Sequence, residues 1–115
     1  MTDNPPPAST DTPPAMADAM ARLWTKFLPD IERRVDLLEA AAGALAAGSL
    51  SDEQREKAHA AAHKLAGTLG TFGLHRGTEL ARQCENFLAG EHPAAASFEL
   101  GSRAAELQAI IKSRV

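Results

Sequence analysis

The sequence predicts an all-α protein, an antiparallel up-and-down four-helix bundle with an additional short N-terminal helix. Three observations carry that reading. Apolar residues recur every three or four positions through most of the chain, which is the period of an amphipathic helix. No stretch alternates apolar and polar residues as a strand would, and no motif repeats at a fixed period. Glycine or proline punctuates the periodic segments, and the connections left between them are short, which favours antiparallel neighbours.

Residues 1–14, MTDNPPPASTDTPP, contain five of the seven prolines and almost nothing apolar. Such a segment cannot bury enough surface to offset its ordering entropy, so it reads as a disordered tail or linker ahead of a bundle domain spanning 15–115. Met16, Met20, Leu23 and Phe27 then form one helical stripe, and Leu28, Ile31, Val35, Leu38, Ala42 and Leu45 form another. Pro29 lies between them and is expected to kink or restart the run, because it lacks a backbone donor and crowds the carbonyl four residues back. The 16–28 segment is thus expected as a short helix across one end of the bundle or as an extension of the first long helix. Gly48 ends that helix.

Ser51-Asp52-Glu53-Gln54 is a capping-box pattern and opens the next helix. Ala58, Ala62, Leu65, Leu69 and Phe72 line one side of it, and Gly73 stops it. Leu74 to Ala89 form the third helix, with Leu80, Cys84, Phe87 and Leu88 inward and Gly90 as the stop. Pro93 suits the first turn of the last helix, whose stripe is Leu100, Ala104, Leu107 and Ile111.

Composition narrows the function classes. The net charge of −3 provides no basic field for nucleic acid phosphates. No apolar run approaches the ~18 residues of a membrane span, and no basic-then-apolar leader is present. A single cysteine excludes an internal disulfide. A cytoplasmic monomer is the expectation, with no nucleic acid or membrane as partner.

The stretch AAHKLAGTLGTFGL, residues 61–74, stands out. Glycine costs a helix about 1 kcal/mol relative to alanine, yet Gly67 and Gly70 follow His63 on the same helix. At about 100° per residue, His63 points roughly 160° away from the apolar stripe. Its expected neighbours on the outer face are His59, Ala66, Gly67 and Gly70. The imidazole would then stand on a surface stripped of bulk, where another molecule can reach its ring.

His63-Lys64-Leu65-Ala66-Gly67, followed by Gly70 and by Phe72-Gly73-Leu74, resembles the signature of histidine-containing phosphotransfer (HPt) domains. Trp24, Phe27, Arg34, Leu38-Glu39 and Leu80-Ala81-Arg82 to Glu85 agree with it, and the resemblance covers residues 16 to 112. It implies a four-helix bundle whose exposed histidine, here His63, accepts a phosphoryl group from a receiver-domain aspartyl phosphate and passes it to another receiver. The partners implied are receiver domains of response regulators or hybrid histidine kinases. The implied carrier is not an enzyme: it has no ATP site and no cofactor of its own, and the receiver brings Mg²⁺. No Walker-type loop or kinase nucleotide motif is present. The docking surface implied is His59, Ala66, Gly67 and Gly70, around His63.

Family members often carry Lys or Arg three residues after the histidine, where this chain has Ala66. Lys64, about 100° around the helix from His63, is the candidate for phosphoryl electrostatics, unless that charge comes from elsewhere. A nucleophilic imidazole also needs a partner on its other nitrogen. Residues near 82 to 85 of the antiparallel third helix lie level with His63, and Glu85, flanking the inward stripe where the family usually has Gln or Glu, is expected to orient it. Arg82 and Gln83 are the other candidates at that level.

His59 and His63 have the i, i+4 spacing of helical metal ligands, but Ala60 stands where a zinc protease needs Glu, and no third ligand converges. His75 and His92 read as structural or solvated, Cys84 as a small core residue, and Met16 and Met20 as packing. Two other functions fit the same pattern: a non-relaying adaptor or inhibitor that binds receivers, and a metal-binding helical bundle.

Overall fold

The computed structural model describes residues 14–90 and 92–114. The expected tail, residues 1–14, lies outside the described residues except for Pro14. The described residues contain helices and no strand. The helices are α1 (Pro14–Ala46), α2 (Asp52–Thr71), α3 (His75–Ala89) and α4 (Ser97–Ser113), with one 3₁₀ turn, Ala94–Ala96, before α4.

Of the two forms expected for residues 16–28, a separate short helix or an extension of the first long helix, the structure has the extension and not the additional helix: α1 is one helix of 33 residues with Pro29 inside it. Proline removes a single intrahelical bond, the one to the Thr25 carbonyl, and both Pro29 and Thr25 face solvent. Water can therefore serve that carbonyl. Meanwhile Trp24, Ile31, Val35 and Leu38 are all buried on one face that runs across the proline. Trp24 meets Phe72 edge-on, with ring centroids 5.1 Å apart, and the Arg114 guanidinium lies 5.0 Å over its ring. Burial on both sides of Pro29 thus outweighs the ~3 kcal/mol that an interior proline costs.

The connections follow local rules. At the start of α2 the Gln54 amide donates to Ser51 Oγ at 3.1 Å, and the Ser51 amide donates to Gln54 Oε1 at 3.0 Å. This is the reciprocal capping box. At the end of α2, Gly73 adopts φ +74°, so that the Leu74 amide reaches the Leu69 carbonyl at 2.9 Å and the Gly73 amide reaches Gly70 at 3.0 Å. That reversal needs a left-handed residue, which glycine adopts without steric strain, and it leaves only a short turn before α3. Gly48 ends α1 in the same way, with φ +70°.

α2 and α3 form the tightest helix pair. Thr78 Oγ1 donates to the Ala66 carbonyl at 3.0 Å, and farther from the turn His63 meets Glu85 at 2.8 Å. Partner positions thus fall along α2 as they climb along α3. Gly77 is buried at the seam, where a Cβ would stand 2.9 Å from Leu69 Cδ1 and make that side chain shift. Arg76 ties the start of α3 to Glu106 of α4 at 2.9 Å, which holds the Glu106 carboxyl below its ordinary range. The core is aliphatic, centred on Ile31, Leu38, Leu65, Leu69, Leu80 and Leu107. Four of the six buried residues of α2 are alanines (Ala58, Ala61, Ala62, Ala66), so its partners come near its axis.

Candidate functional site

α2 carries the site because both flanks of its buried stripe are covered. Ala61 borders the groove against α1, and Ala66 is pinned through its carbonyl to Thr78 of α3. His63 lies outside both, with 73% of its side chain exposed. Its Nδ1 stands 2.8 Å from Glu85 Oε2, while the Glu85 side chain is only 23% exposed. A carboxylate can only accept, so this contact assigns the ring proton to Nδ1. In the neutral ring Nε2, the nitrogen not held by Glu85, then carries the lone pair. Of the three residues expected near that level, Glu85 is the one bonded to His63. Gln83 instead accepts from Arg103 Nε at 2.8 Å on α4.

Two shallow clefts meet at His63. One is lined by His63, Ala66, Gly67, Arg82, Glu85 and Asn86, the other by His63, Lys64, Gly67, Thr68 and Thr71. Gly67 belongs to both, and no atom lies within 4 Å of where its Cβ would be. The ring therefore has open space one turn ahead of it.

The rest of the expected docking floor differs. Ala66 is only 6% exposed and belongs to the core, because α3 seats against it. Its outer-face assignment is corrected: the α2–α3 seam passes beside His63, closer than a wheel centred on the apolar stripe implies. Gly70 is exposed, but a Cβ there would lie 3.3 Å from Thr78 Oγ1, so it serves the helix contact as well as the surface. His59 is half-buried and lines a separate recess with Arg55, Glu56, Leu88 and Ala89. It does not converge with His63 on a ligand. Lys64 is exposed and borders both the second cleft and the α1–α2 groove containing Arg33, Arg34 and Lys57.

Asn86, Thr68 and Thr71 are cleft residues that the sequence reading passed over. Asn86 follows Glu85 directly and sits one turn past Arg82, a signal legible only once Glu85 is known to face His63. Elsewhere, His92 stacks on Phe87 with centroids 3.9 Å apart, a packing role, and His75 is exposed at the start of α3. Among the described residues no three His, Cys, Asp or Glu side chains cluster as metal ligands would. Nor is any described helix long and apolar enough to cross a membrane.

An exposed histidine braced by a glutamate on a helical hairpin agrees with a sequence comparison. The family described as Hpt domain matches residues 22–112. The chain belongs to the Hpt domain family. The four helices of the described structure suit that assignment, and the match begins just before Trp24, where α1 joins the core. A curated relative, Protein RcaC of Microchaete diplosiphon, is 39% identical over 67 residues, or 58% of this chain. The chain spans about a tenth of the length of that relative, 10%. No solved structure matches the chain.

Proposed function

We propose that this Hpt domain is the phosphoryl carrier of a two-component phosphorelay, with His63 as the acceptor. The observation that supports this best is the braced, exposed imidazole: Nδ1 is held 2.8 Å from Glu85 Oε2, most of the side chain is exposed, and Gly67 lines the same clefts. In the forward step the Nε2 lone pair attacks the phosphorus of an aspartyl phosphate on a receiver domain. An N–P bond forms, the acyl P–O bond breaks, and the aspartate carboxylate leaves with the electron pair. Positive charge develops on the ring, and the Glu85 carboxylate on Nδ1–H stabilises it. The reverse of this step on a second receiver passes the phosphoryl group on.

In this reading the antiparallel up-and-down four-helix bundle is a rigid platform, and the chain contributes a nucleophile and its orienting group without an ATP site. The Mg²⁺ belongs to the receiver. The working location is the cytoplasm and the working form a monomer. Docking is transient, so the small open surface at His63 and Gly67 is adequate.

The test is transfer of label from a phosphorylated receiver to wild-type protein and to His63→Gln. An acid-labile, alkali-stable label on wild type alone is the expected result. Labelling of His63→Gln at the wild-type level would place the acceptor elsewhere. Measurable binding of several receivers with no label on wild type would favour the adaptor.

A further inference from the structure

The cation three residues after the histidine, usual in the family, is replaced here by the buried Ala66. Starting from the His63–Glu85 pair, three residues on along α2 is Ala66, and three residues back along α3 is Arg82. The two helices run in opposite directions here, and Arg82, one turn on from the Thr78 that bonds the Ala66 carbonyl, lines the same cleft as Ala66. That cleft also holds His63 and Gly67, and Arg82 is exposed. Among the described residues no carboxylate lies within ion-pair distance of Arg82. The two glutamates three residues either side of it on α3 are engaged elsewhere, Glu85 by His63 and Glu79 by Arg76.

We infer that Arg82, reaching across from α3, binds the phosphoryl oxygens of phosphorylated His63 and takes the place of the missing α2 cation. This deepens the carrier reading and rests on it. A guanidinium presents paired N–H donors in a plane that matches two phosphoryl oxygens, and it keeps its charge at every working pH. Gly67 leaves the space in which those oxygens sit. Lys64 is placed less well for this: it sits on the far side of Gly67 from α3, in the cleft with Thr68 and Thr71, and its stem also borders the α1–α2 groove. Asn86, one turn past Arg82, adds an uncharged amide to the same wall.

The test needs no receiver. The protein is phosphorylated chemically with phosphoramidate: Nε2 bonds to phosphorus, the P–N bond of the reagent breaks, and ammonia leaves. The ³¹P resonance missing from identically treated His63→Gln is then followed against pH. Arg82 favours the more charged phosphoryl form, so in Arg82→Gln the titration midpoint is expected to rise by about half a unit, and Arg82→Lys is expected to restore most of that shift. Arg82 is exposed, so the folded state survives these changes, which circular dichroism checks. A midpoint unmoved in Arg82→Gln, or raised equally in Arg82→Lys, overturns the assignment. The two failures are distinguishable, because the carrier reading falls instead if phosphorylated receivers fail to label the wild-type protein.

Discussion

His63 on α2 and Glu85 on α3 meet across the helix seam, Nδ1 to Oε2, at 2.8 Å. The two are 22 positions apart in the chain and are brought together by the glycine reversal at Gly73. The contact directs Nε2 outward and places a negative charge behind the ring. Glu85→Ala removes both effects and is expected to slow transfer about tenfold, the scale of one hydrogen bond to a charged group. Glu85→Gln keeps an acceptor but not the charge, so its loss should be smaller, about threefold. Quench-flow transfer from a phosphorylated receiver measures both. A wild-type rate in Glu85→Ala would remove Glu85 from the mechanism.

Gly67 allows access to be separated from folding. Its Cβ position is empty of neighbours within 4 Å. Gly67→Ala should therefore gain helix propensity, stabilising the protein by about 0.5–1 kcal/mol. Gly67→Leu should fold equally well, yet block transfer by filling the space beside His63. Urea midpoints and transfer rates on the two variants check the pair. A folded Gly67→Leu protein that transfers normally would contradict this account of the glycine.

Thr78 is expected to matter to stability through one bond, Oγ1 to the Ala66 carbonyl at 3.0 Å. Thr78→Val keeps the shape and deletes the donor. The loss should be about 1 kcal/mol, a fall in melting temperature of roughly 4–8 °C for a domain of this size. Calorimetry on the purified variant measures it, and an unchanged melting temperature would show that the hydroxyl contributes nothing at the seam.

Cys84 predicts an alkaline dependence. It is fully buried, and burial pushes its thiol up to about 11, with Arg103 pulling weakly the other way. The unfolded thiol ionises near 8.5. Between these values the unfolded chain holds fewer protons than the folded one, so stability must fall as pH rises. Below about pH 8 both states hold the proton and the effect vanishes. Urea midpoints should drop more between about pH 8 and about pH 10 for wild type than for Cys84→Ala. Parallel slopes in the two proteins would show that the thiol is not the source.

The helix pattern was readable because its signals are local. The capping box at Ser51, the reversal at Gly73 and the stripes of α2 to α4 each depend on residues within a few positions of one another. Pro29 left two outcomes open for the same reason: a local rule allows a kink or a restart there, while the burial of Trp24 and Ile31 on either side of it, which keeps one helix, is a tertiary effect. The resemblance carried by His63 to Leu74 pointed to the Hpt domain, which the family match over residues 22–112 bears out.

From the sequence alone, His63 had to stand outside the apolar stripe of its helix, because a side chain's direction around a helix follows from its position in the chain. Which residue would answer it was decided only by the packing of α3 on α2. Periodicity brought Arg82, Gln83 and Glu85 to one level; the rotation of α3, set by burying Leu80, Cys84 and Phe87, turned Glu85 to the imidazole and Gln83 to α4. The same packing buried Ala66 and left Gly67 open. Rotation and register between two helices are set by the sum of many weak contacts along the seam, and no single residue's identity encodes that sum.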